Sequence, residues 1–245
     1  MLRVSDYLAL RLKNLGCEMV YMVTGGAAMH LNDSFGKVYK NNVINLHHEQ
    51  SCSMAAESYA RVSNKPAIVN VTAGPGAINA LNGVFGAYVD SLPMIIVSGQ
   101  AKTSTLSTNS GVENLRQLGD QEVNIIDMVK GITKYAILIE NEKSITEEVD
   151  KCFEITIGGR PGPVWIDIPI DVQSKIINFD IDERLRSKEY SINLKKNKLR
   201  AEKDQLIQLA SKLIHAKRPS LLVGSGIRSS NSYSSFLNFL KKWPI

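Results

Sequence analysis

Cysteine is scarce and scattered. Cys17, Cys52 and Cys152 are the only three, and no Cys-x-x-Cys pair occurs. That odd, wide spacing excludes a disulfide framework and a cysteine zinc site, and it fits core thiols in a reducing cytoplasm. A secretory leader is not expected either, because Asp6 and Arg11 interrupt the apolar positions of the N-terminus. The four histidines His30, His47, His48 and His215 lack metal-ligand spacing. Adjacent histidines point to different sides of a helix, whereas a zinc helix needs ligands one turn apart. Surface or capping roles suit them better. No G-x-S-x-G elbow supports a serine nucleophile, and no period of a repeat protein or low-complexity tract is present.

Charge is missing from Pro66 to Val89, a run long enough to cross a membrane. Asn70, Gly74-Pro75-Gly76, Asn79 and Asn82 break it up, so it reads as a buried strand, a turn and a buried helix, with no membrane partner. Aromatic residues do not alternate with the basic ones. The net charge of +5 comes from 29 basic and 24 acidic residues, and the excess lies beyond Ile181. A solvated surface accounts for it, and nucleic acid is not an expected partner.

What remains is an ordinary globular composition, 44% hydrophobic and 22% charged over 245 residues, enough for one or two domains. Short apolar runs alternate with helical spacing. A helix is expected over Ser5–Leu15 with Ser5 as its cap, then a strand at 19–23 and a helix at 27–35. A buried-type strand at 43–46 and a helix from Gln50 follow, the latter with Met54, Ala55, Tyr59 and Val62 at helical spacing. Next come a strand at 67–71, a helix at 75–89 and a strand at 94–97. This alternation predicts an α/β fold with a doubly wound parallel sheet. Residues 98–122 form a long polar loop of the kind that is usually functional. Beyond it, strands at 132–139 and 164–168 enclose a helix capped by Ser144, and 171–200 reads as a connector. A second α/β unit begins with a helix at 201–214, a strand at Ser220–Val223, a glycine turn and a helix at 230–240.

Glu49 stands where the third strand enters its helix. A carboxylate in a first turn complements the macrodipole and free N–H groups, a role worth about 0.3–1 kcal/mol. In a dry site the opposite pull dominates: desolvation favours the neutral acid, which can donate a proton into a hydrogen bond. Three strand-to-helix turns carry glycine, namely Thr24-Gly25-Gly26, Thr72-Ala73-Gly74-Pro75-Gly76 and Gly224-Ser225-Gly226. Glycine serves tight packing in such turns, but in an open parallel sheet they also line the ligand crevice beyond the carboxyl ends of the strands. Gly224-Ser225-Gly226 is incomplete as a dinucleotide fingerprint, since Ser229 holds its third glycine position.

Four runs in register, HHEQSCSMAAESYAR from His47, TAGPGAINALNGVFGAYVDSLPMIIVSGQ from Thr72, QEVNI from Gln121 with ITKYA from Ile132, and RPGPVWIDIPIDVQ from Arg160, resemble the acetolactate synthase-like group of thiamine diphosphate enzymes. The resemblance implies a pyrimidine-binding domain over 1–180, a linker over 181–200 and the start of a Rossmann-like middle domain over 201–245. It implies that Glu49 hydrogen-bonds the aminopyrimidine nitrogen of thiamine diphosphate and so favours the tautomer that removes the thiazolium proton. Thr24, Gly25, Thr72, Gly74, Pro75, Gly76 and Asn79 would line the cofactor. Gln121 would match the active-site glutamine of the carboligases. Gly224 and Gly226 would match the turn that binds FAD in acetohydroxyacid synthases, where flavin has no evident redox task, so its presence stays open. The implied reaction takes an acyl unit from a 2-oxo acid such as pyruvate to a carbonyl acceptor, in a homodimer or tetramer.

Departures from the family pattern set limits. Val23-Thr24 replaces Tyr-Pro, Asp120 replaces a phenylalanine, and 103–118 is longer than usual. Those positions imply an acceptor larger than pyruvate, such as a keto sugar. The Gly-Asp-Gly motif that holds Mg²⁺ and the diphosphate is absent from these residues, so its ligands are expected in a missing half of the same polypeptide or in another chain. A 2-oxo acid decarboxylase of the superfamily is the nearest alternative, although the long loop lacks that subtype's histidines. A non-catalytic nucleotide- or flavin-binding module is the other.

Overall fold

The computed structural model describes residues 2–177, 185 and 201–243. The chain divides into two compact units, Met1–Leu194 and Lys195–Ile245. The expected domain edge at 180 and linker over 181–200 fall, Leu185 apart, outside the described residues, as do Pro244 and Ile245.

The first unit is built on a parallel sheet of six strands: β2 (Val20–Met22), β3 (Val43–Asn45), β4 (Ala67–Val71), β5 (Met94–Gln100), β6 (Tyr135–Leu138) and β7 (Pro163–Pro169). Their order across the sheet is β3-β2-β4-β5-β7-β6. A short antiparallel pair, β1 (Leu2–Arg3) with β8 (Ile176–Ile177), fastens the chain start to the end of the domain. The helices that accompany the strands include α1 (Val4–Asn14), α2 (Met29–Tyr39), α3 (Glu49–Ser63), α4 (Pro75–Asn79), α5 (Leu81–Asp90), α6 (Ile125–Val129), α7 (Ile145–Ile157) and α8 (Ile170–Ser174).

Both faces of the sheet are covered, as a parallel sheet requires. Alternate residues of a strand therefore enter different cores. Ile68, Ile95, Val97, Val164 and Ile166 meet Leu8 and Leu12 of α1, Phe35 of α2 and Val149 of α7. Val69, Val71, Met94, Ile96 and Trp165 meet Cys52, Ala56 and Ala60 of α3 with Val84 and Ala87 of α5. A buried ion pair, Arg11 Nε to Asp150 Oδ1 at 2.6 Å, joins α1 to α7 in the first core.

Several local expectations change. Ser5 is not a cap: Arg3 occupies that position, and the buried Ser5 hydroxyl takes a hydrogen bond from Ser34. The strand at Val43 is an edge strand, with Ile44 and Asn45 exposed, because β2 covers only one of its sides. In α3 the inward stripe is Cys52, Ser53, Ala56 and Ala60, while Met54 and Val62 face outward. Small residues are needed there because α5 comes very close; a Cβ on Gly83 would stand 2.4 Å from the Ser53 carbonyl carbon. The helix expected over 75–89 divides at Ala80 into α4 and α5. The front of the presumed connector instead folds as α8 and β8, with Val172 and Gln173 buried.

The second unit contains helices Lys203–His215, Gly226–Ser229 and Tyr233–Lys242. No strand forms at Ser220–Val223, where the chain runs irregularly with Leu221, Leu222 and Val223 exposed. A strand exists only through its ladder, and no partner strand lies among the described residues of this unit.

Candidate active site

The chain passes from β2 to β3 on one side, then returns across β2 to β4 on the other. That reversal opens a crevice beyond the carboxyl ends of β2 and β4, the usual ligand position in such sheets. Three of the expected segments converge there. Gly25 follows β2 in extended conformation, φ −161°, so its small size matters for proximity: a Cβ would lie 2.4 Å from Thr72 Cβ. A Cβ on Gly76 would lie 2.7 Å from Thr72 Cγ2 and 3.3 Å from Glu49 Oε1. Thr72 thus lies against both Gly25 and Gly76, and Gly76 lies against Glu49.

Glu49 is the first residue of α3, half-buried. His48 caps the helix, its Nδ1 accepting from the Gln50 N–H at 3.1 Å. Across the crevice Asn79, at the end of α4, donates from Nδ2 to Glu49 Oε2 at 3.0 Å. One carboxylate oxygen is thereby held, and the other, Oε1, lies beside Gly76. The dry setting expected for Glu49 is not fully present within this chain, whose carboxyl is only half covered.

Gln121 also reaches this neighbourhood. Gly74 has φ +57°, and a Cβ on it would stand 2.2 Å from the Gln121 carbonyl oxygen and 3.2 Å from Gln121 Cβ. Only glycine meets both demands. Gln121 itself adopts a left-handed backbone, φ +55°, with its side chain exposed. Thr24 and Pro75 are exposed near the opening, Pro75 as the first residue of α4. Gly224 and Gly226 belong to the second unit, where a Cβ on either would touch nothing within 4 Å.

Residues overlooked in the sequence support these positions. Asn70, buried in the middle of β4, donates to Asn32 Oδ1 at 2.7 Å, and Asn32 donates to the Gly25 carbonyl at 3.3 Å. A polar residue inside the apolar run AIVNV was the available signal. Asp167, buried on β7, accepts from the Ser98 hydroxyl at 2.6 Å and from Gln100 Nε2 at 2.9 Å. Burial pushes its carboxyl up to about 7, against the opposing effect of those two bonds. Gln100 Nε2 also donates to the Val123 carbonyl at 2.8 Å, so this buried group tethers the end of the long loop.

An oriented carboxyl beside two tightly packed glycine turns thus stands at the switch point, where open parallel sheets hold their ligands. Residues 2–128 match the family described as thiamine pyrophosphate enzyme, N-terminal TPP binding domain. The chain belongs to that family. Its relatives include the chloroplastic acetolactate synthase of Arabidopsis thaliana, 30% identical over 95% of this chain and 33% of that protein. The acetolactate synthase large subunit of Lactococcus lactis is 33% identical over 96% of this chain and 38% of its own length. The mitochondrial acetolactate synthase catalytic subunit of Saccharomyces cerevisiae is 32% identical over 86% of this chain and 30% of its length. The chain spans about a third of the length of these curated relatives.

Proposed function

We propose that this chain is the pyrimidine-binding part of a thiamine diphosphate-dependent carboligase, which takes an acyl unit from a 2-oxo acid such as pyruvate to a carbonyl acceptor. The observation that carries this reading is the Asn79–Glu49 hydrogen bond of 3.0 Å at the switch-point crevice. Thiamine diphosphate, when bound, supplies a carbon nucleophile able to hold the acyl unit. The chain's own task is to orient and to manage one proton. Asn79 fixes one oxygen of Glu49, leaving the other to share a proton with a ring nitrogen. Lacking Cβ atoms, Gly25 and Gly76 both let Thr72 pack tightly against them, which sets the two glycine turns beside the carboxyl of Glu49.

The residues fit the pyrimidine end of the cofactor and not its diphosphate end. Among the described residues no group of three or more His, Cys, Asp or Glu could hold a metal ion. We therefore assign the Mg²⁺ ligands to residues outside the described ones, and no step here runs through the metal. Half-burial of Glu49 favours a second subunit as the cover that dries the site, in a homodimer or tetramer. The exposed Met54, Phe85, Tyr88 and Val89 of α3 and α5 are the apolar surface suited to that contact. Cytoplasmic residence is supported by three free, buried cysteines. No helix among the described residues is long and apolar enough to cross a membrane. FAD at Gly224–Gly226 and a keto-sugar acceptor complete the proposal, and both rest on the sequence resemblance.

Glu49→Gln in the complete enzyme is the test. Proton exchange at the reactive carbon of bound thiamine diphosphate, followed by NMR, should slow by roughly 10²-fold or more. Normal exchange with normal turnover would leave only a binding module. Free aldehyde as the sole product from pyruvate would turn the reading to the decarboxylase.

A further inference from the structure

The loop between β5 and α6 is long and polar, yet one side chain organises it. Glu122 accepts at Oε1 from the Ser107 N–H at 2.6 Å and the Ser107 hydroxyl at 2.7 Å. At Oε2 it accepts from the N–H groups of Leu118 at 3.0 Å and Gly119 at 3.2 Å. Four donors on one carboxylate draw together the two ends of the 107–118 excursion. The Glu122 N–H also closes a tight turn on the Gly119 carbonyl at 3.2 Å.

Gln121 lies inside that turn. Its left-handed backbone is an uncommon state for a residue with a side chain, tolerated only where its surroundings impose it. Two contacts do so. Gly74 receives the Gln121 peptide, and Gly119 sits so close to Ala101 that a Cβ would be 2.5 Å from Ala101 Cβ. The carboxylate of the very next residue then locks the turn from the far side.

We propose that Glu122 is the positioning residue of the long loop: it staples Ser107 to Leu118–Gly119 and thereby holds Gln121 against Gly74 at the mouth of the Glu49 crevice. The chemical use of Gln121 rests on the reading of that crevice given above; the staple does not. Ionisation is part of the device, since all four donors need an acceptor on both oxygens. Burial opposes the anion, but the Leu118, Ser107 and Gly119 donors outweigh it and hold the carboxyl below its ordinary range. Those donors, rather than a neighbouring charge, set its state. A carboxyl lowered on folding supports the loop above its unfolded-state pKa, and that support fades as pH falls through the folded value.

Hydrogen exchange on the 245-residue chain tests this. In Glu122→Gln one acceptor oxygen becomes an N–H donor, so the amides of Ser107, Leu118 or Gly119 should exchange roughly tenfold faster or more. Protected amides of β4 and β5 should keep their rates. Corrected for intrinsic exchange, the loop of the unaltered chain should lose protection as pH falls below the ordinary glutamate range, and Glu122→Gln should lack that step. Ser107→Ala, which removes one of the four donors and keeps the N–H, should give a smaller acceleration. Unchanged loop exchange in Glu122→Gln, or equal acceleration in β4 and β5, overturns the proposal. In the complete enzyme Glu122→Gln should raise KM for the acceptor while Glu49-dependent proton exchange stays intact. Failure of Glu49→Gln to affect that exchange would sink the crevice reading and leave the staple standing.

Discussion

The two units carry similar sequence patterns and put them to different use. Ala67–Val71 and Leu221–Val223 are both short apolar runs followed by a glycine turn and a helix. The first is wholly buried between β2 and β5, whereas Leu221 and Val223 are each 47% exposed. Helix α3 buries a stripe of small residues under α5; the helix Lys203–His215 has clearer amphipathic spacing and buries no residue. A pattern is a statement about which side wants cover. Whether cover exists depends on neighbours: in the first unit the strand lies in a six-stranded sheet with helices on both faces, and among the described residues of the second unit there is no strand.

The comparison is broken if side-chain deletions cost the same in both units. Phe35→Ala should destabilise the first unit by about 3–5 kcal/mol in urea unfolding, while Leu209→Ala should stay within about 0.5 kcal/mol. Equal costs would mean the second unit has a core.

The next largest effect is a pH dependence confined to the first unit. Asp167 titrates near 7 folded and near 3.9 unfolded. Between those values the native state keeps a proton that the unfolded chain has released, so stability falls as pH rises, by up to about 1.4 kcal/mol per unit. Asp167→Asn should flatten that slope. A slope that survives the substitution would assign it to another group.

Glycines sharpen the contrast further. Gly83→Ala would press a methyl on the Ser53 and Met54 backbone and should cost about 1–3 kcal/mol. Gly224→Ala meets nothing and should be nearly neutral in the same measurement. Smallest is the cap: His48→Ala should cost about 1 kcal/mol, and Ser232→Ala, at a helix start without a side-chain cap bond, close to nothing by thermal melting.

Much of this was legible. Strand β4, its glycine turn and the helix after Glu49 follow from apolar period, glycine placement and first-turn chemistry, all of which act over a few residues. The meeting of Gly25, Thr72 and Gly76 near Glu49 depends on the strand order, which no sequence pattern gave; the family resemblance implied only that these residues share a cofactor. What stayed hidden depends on partners far along the chain. Ser5 has the right type for a cap, but its hydroxyl is engaged with Ser34. Ile44 has the right type for a buried strand, but nothing pairs on its outer side. Asp167 and Glu122 look like any acidic residue until Ser98, Gln100 and Ser107 are brought beside them. Pattern reveals which residues want burial; it does not reveal which polar groups will meet inside.

The brevity of β3 has an effect beyond the site. Its three residues form one border of the sheet, and β6, with four, forms the other. An invading chain seeking to extend the sheet would find too few open peptide groups to grip, which limits growth into fibrils. Past β3 the backbone bends at His47 and His48 and α3 begins at Glu49, so the same short border also brings the chain round to that carboxyl.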